Sequence, residues 1–116
     1  NGCQLVLHYN SSAEGSEEVR DYAATLDVKA LTYRADLTKP DELRALVAFG
    51  VTEFGHLDIL INNSAIYLSG KGMDTTSELL EKQFQLNLFA PVLLIRAFAA
   101  QLSEGLTGKV VNISDA

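Results

Sequence analysis

An α/β fold built on a doubly wound parallel sheet is the class this sequence predicts, and three observations predict it. Strand-like and helix-like hydrophobic patterns alternate from end to end of the 116 residues, as in successive βαβ units. The run Leu57-Asp58-Ile59-Leu60-Ile61 reads as a strand buried on both faces. That run stops abruptly in Asn62-Asn63-Ser64-Ala65, with Tyr67 two positions further on. In an open parallel sheet, ligands bind just outside the carboxyl ends of the strands. Amides, a hydroxyl and a small residue at such an end let a ligand approach the backbone and bond to it. The same residues also suit a plain strand cap and turn.

The first strand is Gln4 to Tyr9, centred on Leu5, Val6 and Leu7. Ser11-Ser12-Ala13-Glu14 then has the form of a capping box, in which a Ser oxygen takes a free helix amide and Glu14 reaches back. The helix it opens carries Val19, Tyr22, Ala23 and Leu26 at helical spacing. Val28 to Tyr33 is a second strand. Thr38 opens the next helix, with Pro40 in the first turn and Asp41-Glu42 near its positive end. Leu43, Leu46, Val47, Val51 and Phe54 form its buried stripe, and Gly55 ends it. After the strand at Leu57 to Ile61 comes a glycine-containing loop, Leu68 to Asp74. A long helix from about Thr76 to Ser103 and a last strand, Lys109 to Ile113, complete the order. There are no repeats, low-complexity tracts or linkers, so the chain is one domain at most.

Hydrophobic residues make up 47% and charged residues 21%, which fits an ordered α/β protein and excludes disorder. The net charge is −6 and Lys and Arg form no cluster, which argues against a nucleic-acid partner. Cys3, the one cysteine, has no internal disulfide partner and no metal-spaced companion. It suits a small strand residue in a reducing, cytoplasmic compartment. His8 and His56 stand alone, as strand-end or turn residues. The longest apolar run, Leu88 to Ile95, stops at Arg96, which argues against a membrane span. The chain begins at Asn1-Gly2 without an initiator Met and ends at Ala116 directly after a strand, so both ends look cut from something longer.

No G-x-G-x-x-G or P-loop spacing occurs. The turn after the first strand, Tyr9-Asn10-Ser11-Ser12, is polar but glycine-free, whereas a pyrophosphate cradle needs glycines for close backbone approach. Gly70-Lys71-Gly72 is the nearest approach to one, and it follows no strand directly.

Four markers stand in order: Ala35-Asp36-Leu37, then Leu57 to Ala65, then Asn87 inside the long helix, then Val110-Val111-Asn112-Ile113-Ser114-Asp115-Ala116. On these the chain resembles the short-chain dehydrogenase/reductase family, closest to its pteridine reductase-like members, over essentially its whole length. The resemblance implies a Rossmann-type sheet of order 3-2-1-4-5-6, of which this chain carries strands two to five as a central fragment. Strands two and four would flank an empty slot with unpaired backbone along both edges, so the segment should not fold stably by itself. The Gly-rich turn would precede it, and the proton-donating Tyr-x-x-x-Lys pair would follow it.

The resemblance also assigns sites. Relatives that use NAD close the second strand with an acidic residue. Here Tyr9 stands there, followed by Asn10, Ser11 and Ser12, which favours NADP(H), although the usual Arg is absent and Ser11 also serves as a helix cap. Asp36 would accept a hydrogen bond from the adenine amino group, with Leu37 framing the ring; a turn Asp is the other reading. Asn63, Ser64 and Ala65 would line the cofactor ribose, departing from the usual Asn-Asn-Ala-Gly. Pro91 lacks an N–H and leaves the carbonyl of Asn87, four residues earlier, without its helical partner. In the family that carbonyl serves a proton-relay water; a packing kink is the alternative. Asp115 falls where pteridine reductases carry an Asp in place of a catalytic Ser, and a one-residue shift would put Ser114 there instead. Tyr67 would stack on a flat pterin, or simply cover the core.

The expected function is an NADPH-dependent reductase. It would pass hydride to a pterin-like C=N or to a carbonyl, the second including 3-oxoacyl and other ketones. A non-catalytic NADP(H)-binding regulator is the rival from another class. Leu80, Phe84, Leu88, Val92, Ile95 and Phe98 give the long helix two apolar faces, and in the family that helix packs a subunit partner in dimers or tetramers.

Overall fold

In a computed structural model, which describes residues 2–67 and 72–114, the expected alternation of strands and helices is present. The elements run β1 (Leu5–Tyr9), α1 (Ala13–Thr25), β2 (Ala30–Arg34), α2 (Pro40–Phe54) and β3 (Ile59–Asn62). A continuous helical stretch follows in three parts: α3 (Ser77–Phe84), a π-turn (Gln85–Phe89) and α4 (Ala90–Ala100). The last strand is β4 (Lys109–Asn112). Part of the loop expected over 68–74, and Asp115, lie outside the described residues.

All pairing is parallel. Strand β1 pairs with β2 from Leu5–Ala30 to Tyr9–Arg34, and β3 pairs with β4 from Ile59–Lys109 to Asn62–Asn112. The two pairs form separate two-stranded sheets, as expected of strands that flank an unfilled position. A single apolar seam holds them in one frame. Ala35, Leu37, Leu43, Leu46, Val47, Ala90 and Leu94 form the buried cluster, with Val6, Tyr33, Leu57, Leu60 and Leu93 packed against it. Helix α2 therefore joins the β1–β2 side to α4 and, through α4, to β3.

The stripe expected on α2 is buried at Leu43, Leu46 and Val47. Gly55 ends the helix at φ 84°, donating its N–H to the Val51 carbonyl at 2.8 Å; the left-handed backbone there suits glycine. Three expectations are corrected. On α1 only Ala23 is buried, while Val19, Tyr22 and Leu26 are exposed, because no second layer covers that face among the described residues. The strand at β3 is not buried on both faces: Ile59 and Ile61 are 47% and 61% exposed, since α4 covers one face only. Strand β3 also starts two residues late. Leu57 gives its N–H to Gln101 Oε1 at 3.0 Å, and its carbonyl accepts from Gln101 Nε2 at 2.8 Å. A side chain thus takes the place of a neighbouring strand.

The π-turn sits directly before Pro91, with the Ala90 N–H reaching back five residues to the Gln85 carbonyl. A proline in a helix interior removes one backbone donor and crowds the previous turn. Widening that turn by one residue relieves the crowding. By length and composition the 24-residue stretch Ser77–Ala100 could cross a membrane; here Ala90 and Leu94 are buried in the cluster shared with α2, and Phe98 is buried near Gly108.

Gly108 precedes β4 in a close approach. A Cβ there would come within 2.6 Å of the Phe98 ring and 2.9 Å of Leu102 Cδ1, and Phe98 is itself only 2% exposed. Gly108→Ala is expected to lower stability by about 1–3 kcal/mol through overpacking, read from urea unfolding. Gly50→Ala, whose added atom meets only the movable tip of Leu57, should cost less.

Candidate functional site

The carboxyl ends of β1 and β3 open onto one cleft of ≈ 400 Å³, lined by His8, Tyr9, Asn10, Ser11, Ser12, Leu37, Asn63, Ser64, Ala65, Ile66 and Leu86. Two chain segments more than 50 residues apart meet there because both follow parallel strands pointing the same way. Of the residues singled out in sequence, Tyr9, Asn10, Ser11, Ser12, Leu37, Asn63, Ser64 and Ala65 all line this cleft. Asp36, Tyr67 and Asn87 do not.

The β1 side is built for an acceptor-rich ligand. Ser12 is the N-cap of α1 in extended conformation, and its side chain makes no cap bond. The capping box expected at Ser11 to Glu14 therefore does not form. Hydroxyls at Ser11 and Ser12 and the first amides of α1 face a rim without a carboxylate, in a positive helix-start field.

His8 lies between the two sheets. Its Nε2 is 2.7 Å from the Ala35 carbonyl, so Nε2 carries the proton in the neutral ring, and Nδ1 accepts from Ser64 Oγ at 3.3 Å. Among the described residues this is the single side-chain hydrogen bond that joins residues 2–54 to residues 57–114. A lone strand histidine carries no sequence signal for such a role; the packing of the two sheets against each other reveals it.

The β3 side is fixed from the long helix. Asn87 Oδ1 accepts from the Ile66 N–H at 2.9 Å, and Asn87 Nδ2 donates to the Ile66 carbonyl at 2.8 Å. The segment after β3 is thus tied down just beyond Ala65 by a side chain from within the π-turn. Beneath it, Asn62 is buried and donates Nδ2 to Asn112 Oδ1 at 2.8 Å, leaving its own Oδ1 without a donor. Tyr67 is 85% exposed beyond this segment. It stands four residues before Lys71, the spacing expected of the proton-donating pair, but in a loop outside the cleft.

Asp36 is a turn residue here. Its Oδ1 accepts from the Thr38 N–H at 3.0 Å and from Thr38 Oγ1 at 2.7 Å. Those bonds hold its carboxyl below the usual 3.8, with Lys39 assisting. Glu42 reaches back to accept from the Asp36 N–H at 2.7 Å. That bond, and then the Lys39 ammonium, holds Glu42 below the usual 4.5. With Thr38 spent on Asp36, the N-cap of α2 falls on Lys39 rather than Thr38. Leu37, by contrast, is 5% exposed and forms one wall of the cleft.

A second groove, of ≈ 500 Å³, runs along the outer face of the long helix between Leu80, Phe84, Leu88 and Phe89. Its apolar residues are close to half-exposed, so the helix has two apolar faces, as its sequence predicts.

Comparison with known proteins identifies the family and the fold. The short chain dehydrogenase family profile matches residues 1–115. An uncharacterized oxidoreductase of Methylorubrum extorquens is 33% identical over 97% of this chain and 45% of its own length. A hydroxynaphthalene reductase-like protein of Metarhizium anisopliae is 32% identical over 97% of this chain and 42% of its own. The chain thus spans less than half the length of these curated relatives. Among solved structures, a short chain dehydrogenase from Burkholderia cenocepacia in complex with NADP superposes with a TM-score of 0.87 at 30% identity. That match covers 94% of this chain and 44% of the other.

The depressed carboxyls of Asp36 and Glu42, like that of Glu78 at the start of α3, add stability that is complete above their ordinary values and is lost as pH falls through their lowered ones. Melting temperature should therefore hold steady down to about pH 5 and then fall. Glu42→Gln should flatten that fall while lowering the plateau.

Proposed function

The chain belongs to the short-chain dehydrogenase/reductase family, and from that premise we propose that it forms part of the NADP(H)-binding domain of a reductase. The observation that carries this reading is the convergence of Tyr9–Ser12, Leu37 and Asn63–Ala65 on one cleft at the carboxyl ends of parallel strands. The donor set fits the cofactor. Uncapped hydroxyls and helix-start amides suit the adenosine phosphate, and no carboxylate on that rim repels it. Leu37 offers an apolar wall for adenine, and the neighbouring Asp36 would accept from its amino group. Asn63, Ser64 and Ala65 would hold the ribose that bears the nicotinamide.

Bound NADPH supplies a hydride for an unsaturated carbon. The chain itself orients the parts and moves the proton. Asn87 holds Ile66 by two hydrogen bonds, fixing the ribose segment, and its main-chain carbonyl would accept from a relay water. Asp115 would carry a proton toward the substrate. A pterin-like C=N substrate is the first reading, suggested by Asp115, with Tyr67, exposed beyond the cleft, as the aromatic that would stack on it. A ketone is the second reading, favoured by the reductase name borne by the Metarhizium relative. The exposed apolar face of the long helix, Leu80, Phe84, Leu88 and Val92, would be covered by a second subunit in a dimer or tetramer. The lone cysteine and acidic composition suit the cytoplasm.

NADPH oxidation by the complete protein with dihydrobiopterin, against a simple ketone, tests the substrate. Pterin turnover that drops at least tenfold in Asp115→Ser supports the pterin reading. Ketone turnover kept or raised by that change supports a carbonyl reductase, and tight NADPH binding with no turnover points to a regulator. A separate check is Ser12→Asp. A carboxylate at the N-cap should leave α1 as stable or up to about 1 kcal/mol more so, yet weaken NADPH several-fold relative to NADH in a fluorescence titration.

A further inference from the structure

Arg34 closes β2 directly beside Tyr9, its register partner in β1. From there its Nε donates to the Asn10 carbonyl at 3.0 Å, so the guanidinium is laid across the start of the segment that lines the cleft. Its surroundings set it apart. Arg20 pairs with Asp21, Arg44 with Asp41, Lys29 with Glu53, and Lys39 with Asp36 and Glu42. Among the described residues Arg34 makes no ion pair. The nearby Lys39, whose ammonium senses the Arg34 charge, already has its two carboxylates. The Nη groups thus make no ion pair, and the Asn10 peptide that holds Nε leads directly into Ser11 and Ser12 of the cleft lining. Those residues offer hydroxyls and a peptide carbonyl but no negative charge.

The turn after the first strand has no arginine of its own, and the neighbouring strand brings Arg34 beside it. We infer that Arg34 is a specificity-determining residue, contributing the cation that recognises the 2′-phosphate of NADP(H) across the Asn10–Ser12 segment. This rests on the proposed cofactor site and deepens it. The Asn10 carbonyl holds the guanidinium at one edge through Nε, leaving the Nη edge for a phosphate, and a planar fork of this kind matches phosphate oxygens in a bidentate manner. Sequence spacing alone conceals the arrangement, because 24 residues separate Asn10 from Arg34 and only parallel pairing brings them together.

The test is equilibrium binding of NADPH and NADH, followed by cofactor fluorescence, to the complete protein and to its Arg34→Gln and Arg34→Lys variants. Loss of one charge-assisted contact should weaken NADPH roughly ten- to a hundredfold in Arg34→Gln. NADH affinity should be unchanged, which also shows that the variant is folded. Arg34→Lys should recover part of the loss, and NADPH affinity of the Gln variant should depend less steeply on salt. NADPH affinity unchanged in Arg34→Gln would overturn the assignment. So would an equal weakening of both cofactors, which would make Arg34 a support for the Asn10 turn. If the unsubstituted protein binds neither cofactor, the underlying reading of the cleft fails and this one falls with it.

Discussion

Two short sheets that share no ladder of hydrogen bonds hold their relative position through one apolar seam, and every feature of the cleft depends on it. Leu43, Leu46 and Val47 on α2 meet Ala90 and Leu94 on α4, with Ala35 and Leu37 at the end of β2 closing the cluster. Leu37 is both part of this core and a wall of the cleft. Burial of the seam and placement of the ligand wall are therefore one event. Apolar burial has no direction of its own; direction comes from the few hydrogen bonds that cross or border the seam, such as the His8 link to Ser64.

The second level of order is a repeated device. Gln101 and Asn87, on the same helical stretch, each use a side-chain amide to satisfy both the N–H and the carbonyl of one residue, Leu57 before β3 and Ile66 after it. A primary amide has the donor and the acceptor that a neighbouring strand would present. The strand is pinned at both ends by the helix that also covers it. Exact placement of the 63–65 segment follows from these four bonds more than from the ladder between β3 and β4, which is only four residues long.

Much of this was legible in the residues. Alternating patterns place the strands and helices in their observed order, and the polar end of β3 marks the cleft from one side while Tyr9 to Ser12 mark it from the other. Pro91 announces a disturbance of the helix, although the π-turn that absorbs it follows from local crowding and not from any motif. What stayed hidden depends on non-local pairing. His8 and Arg34 are ordinary singletons along the chain; Arg34 meets Asn10, and His8 the Ala35 carbonyl, only when β1 lies beside β2, and His8 meets Ser64 only when the two sheets pack together. Asp36 reads in sequence as an adenine contact in preference to a turn residue, and Thr38 takes its Oδ1 in the turn. The stripe on α1 reads as buried because helical spacing records which face is apolar, not whether another layer is present to cover it.

The π-turn gives the long helix two phases. A π-turn is in effect one residue added to an α-helix, and each residue turns the helix by about 100°. Ala90, Leu94 and Phe98 set the phase that faces the core, while Leu80, Phe84 and Leu88 belong to the stretch wound one residue out of step with it. The amide of Asn87 reaches Ile66 from within the widened turn itself. Insertions and deletions in this helix would therefore act as rotations. Removing one residue between Gln85 and Phe89 would restore a uniform winding, carry the Asn87 clasp off Ile66, and swing the outward apolar groove a quarter-turn or more around the helix. The length of this segment, as much as its composition, is what couples the ribose side of the cleft to the outer surface.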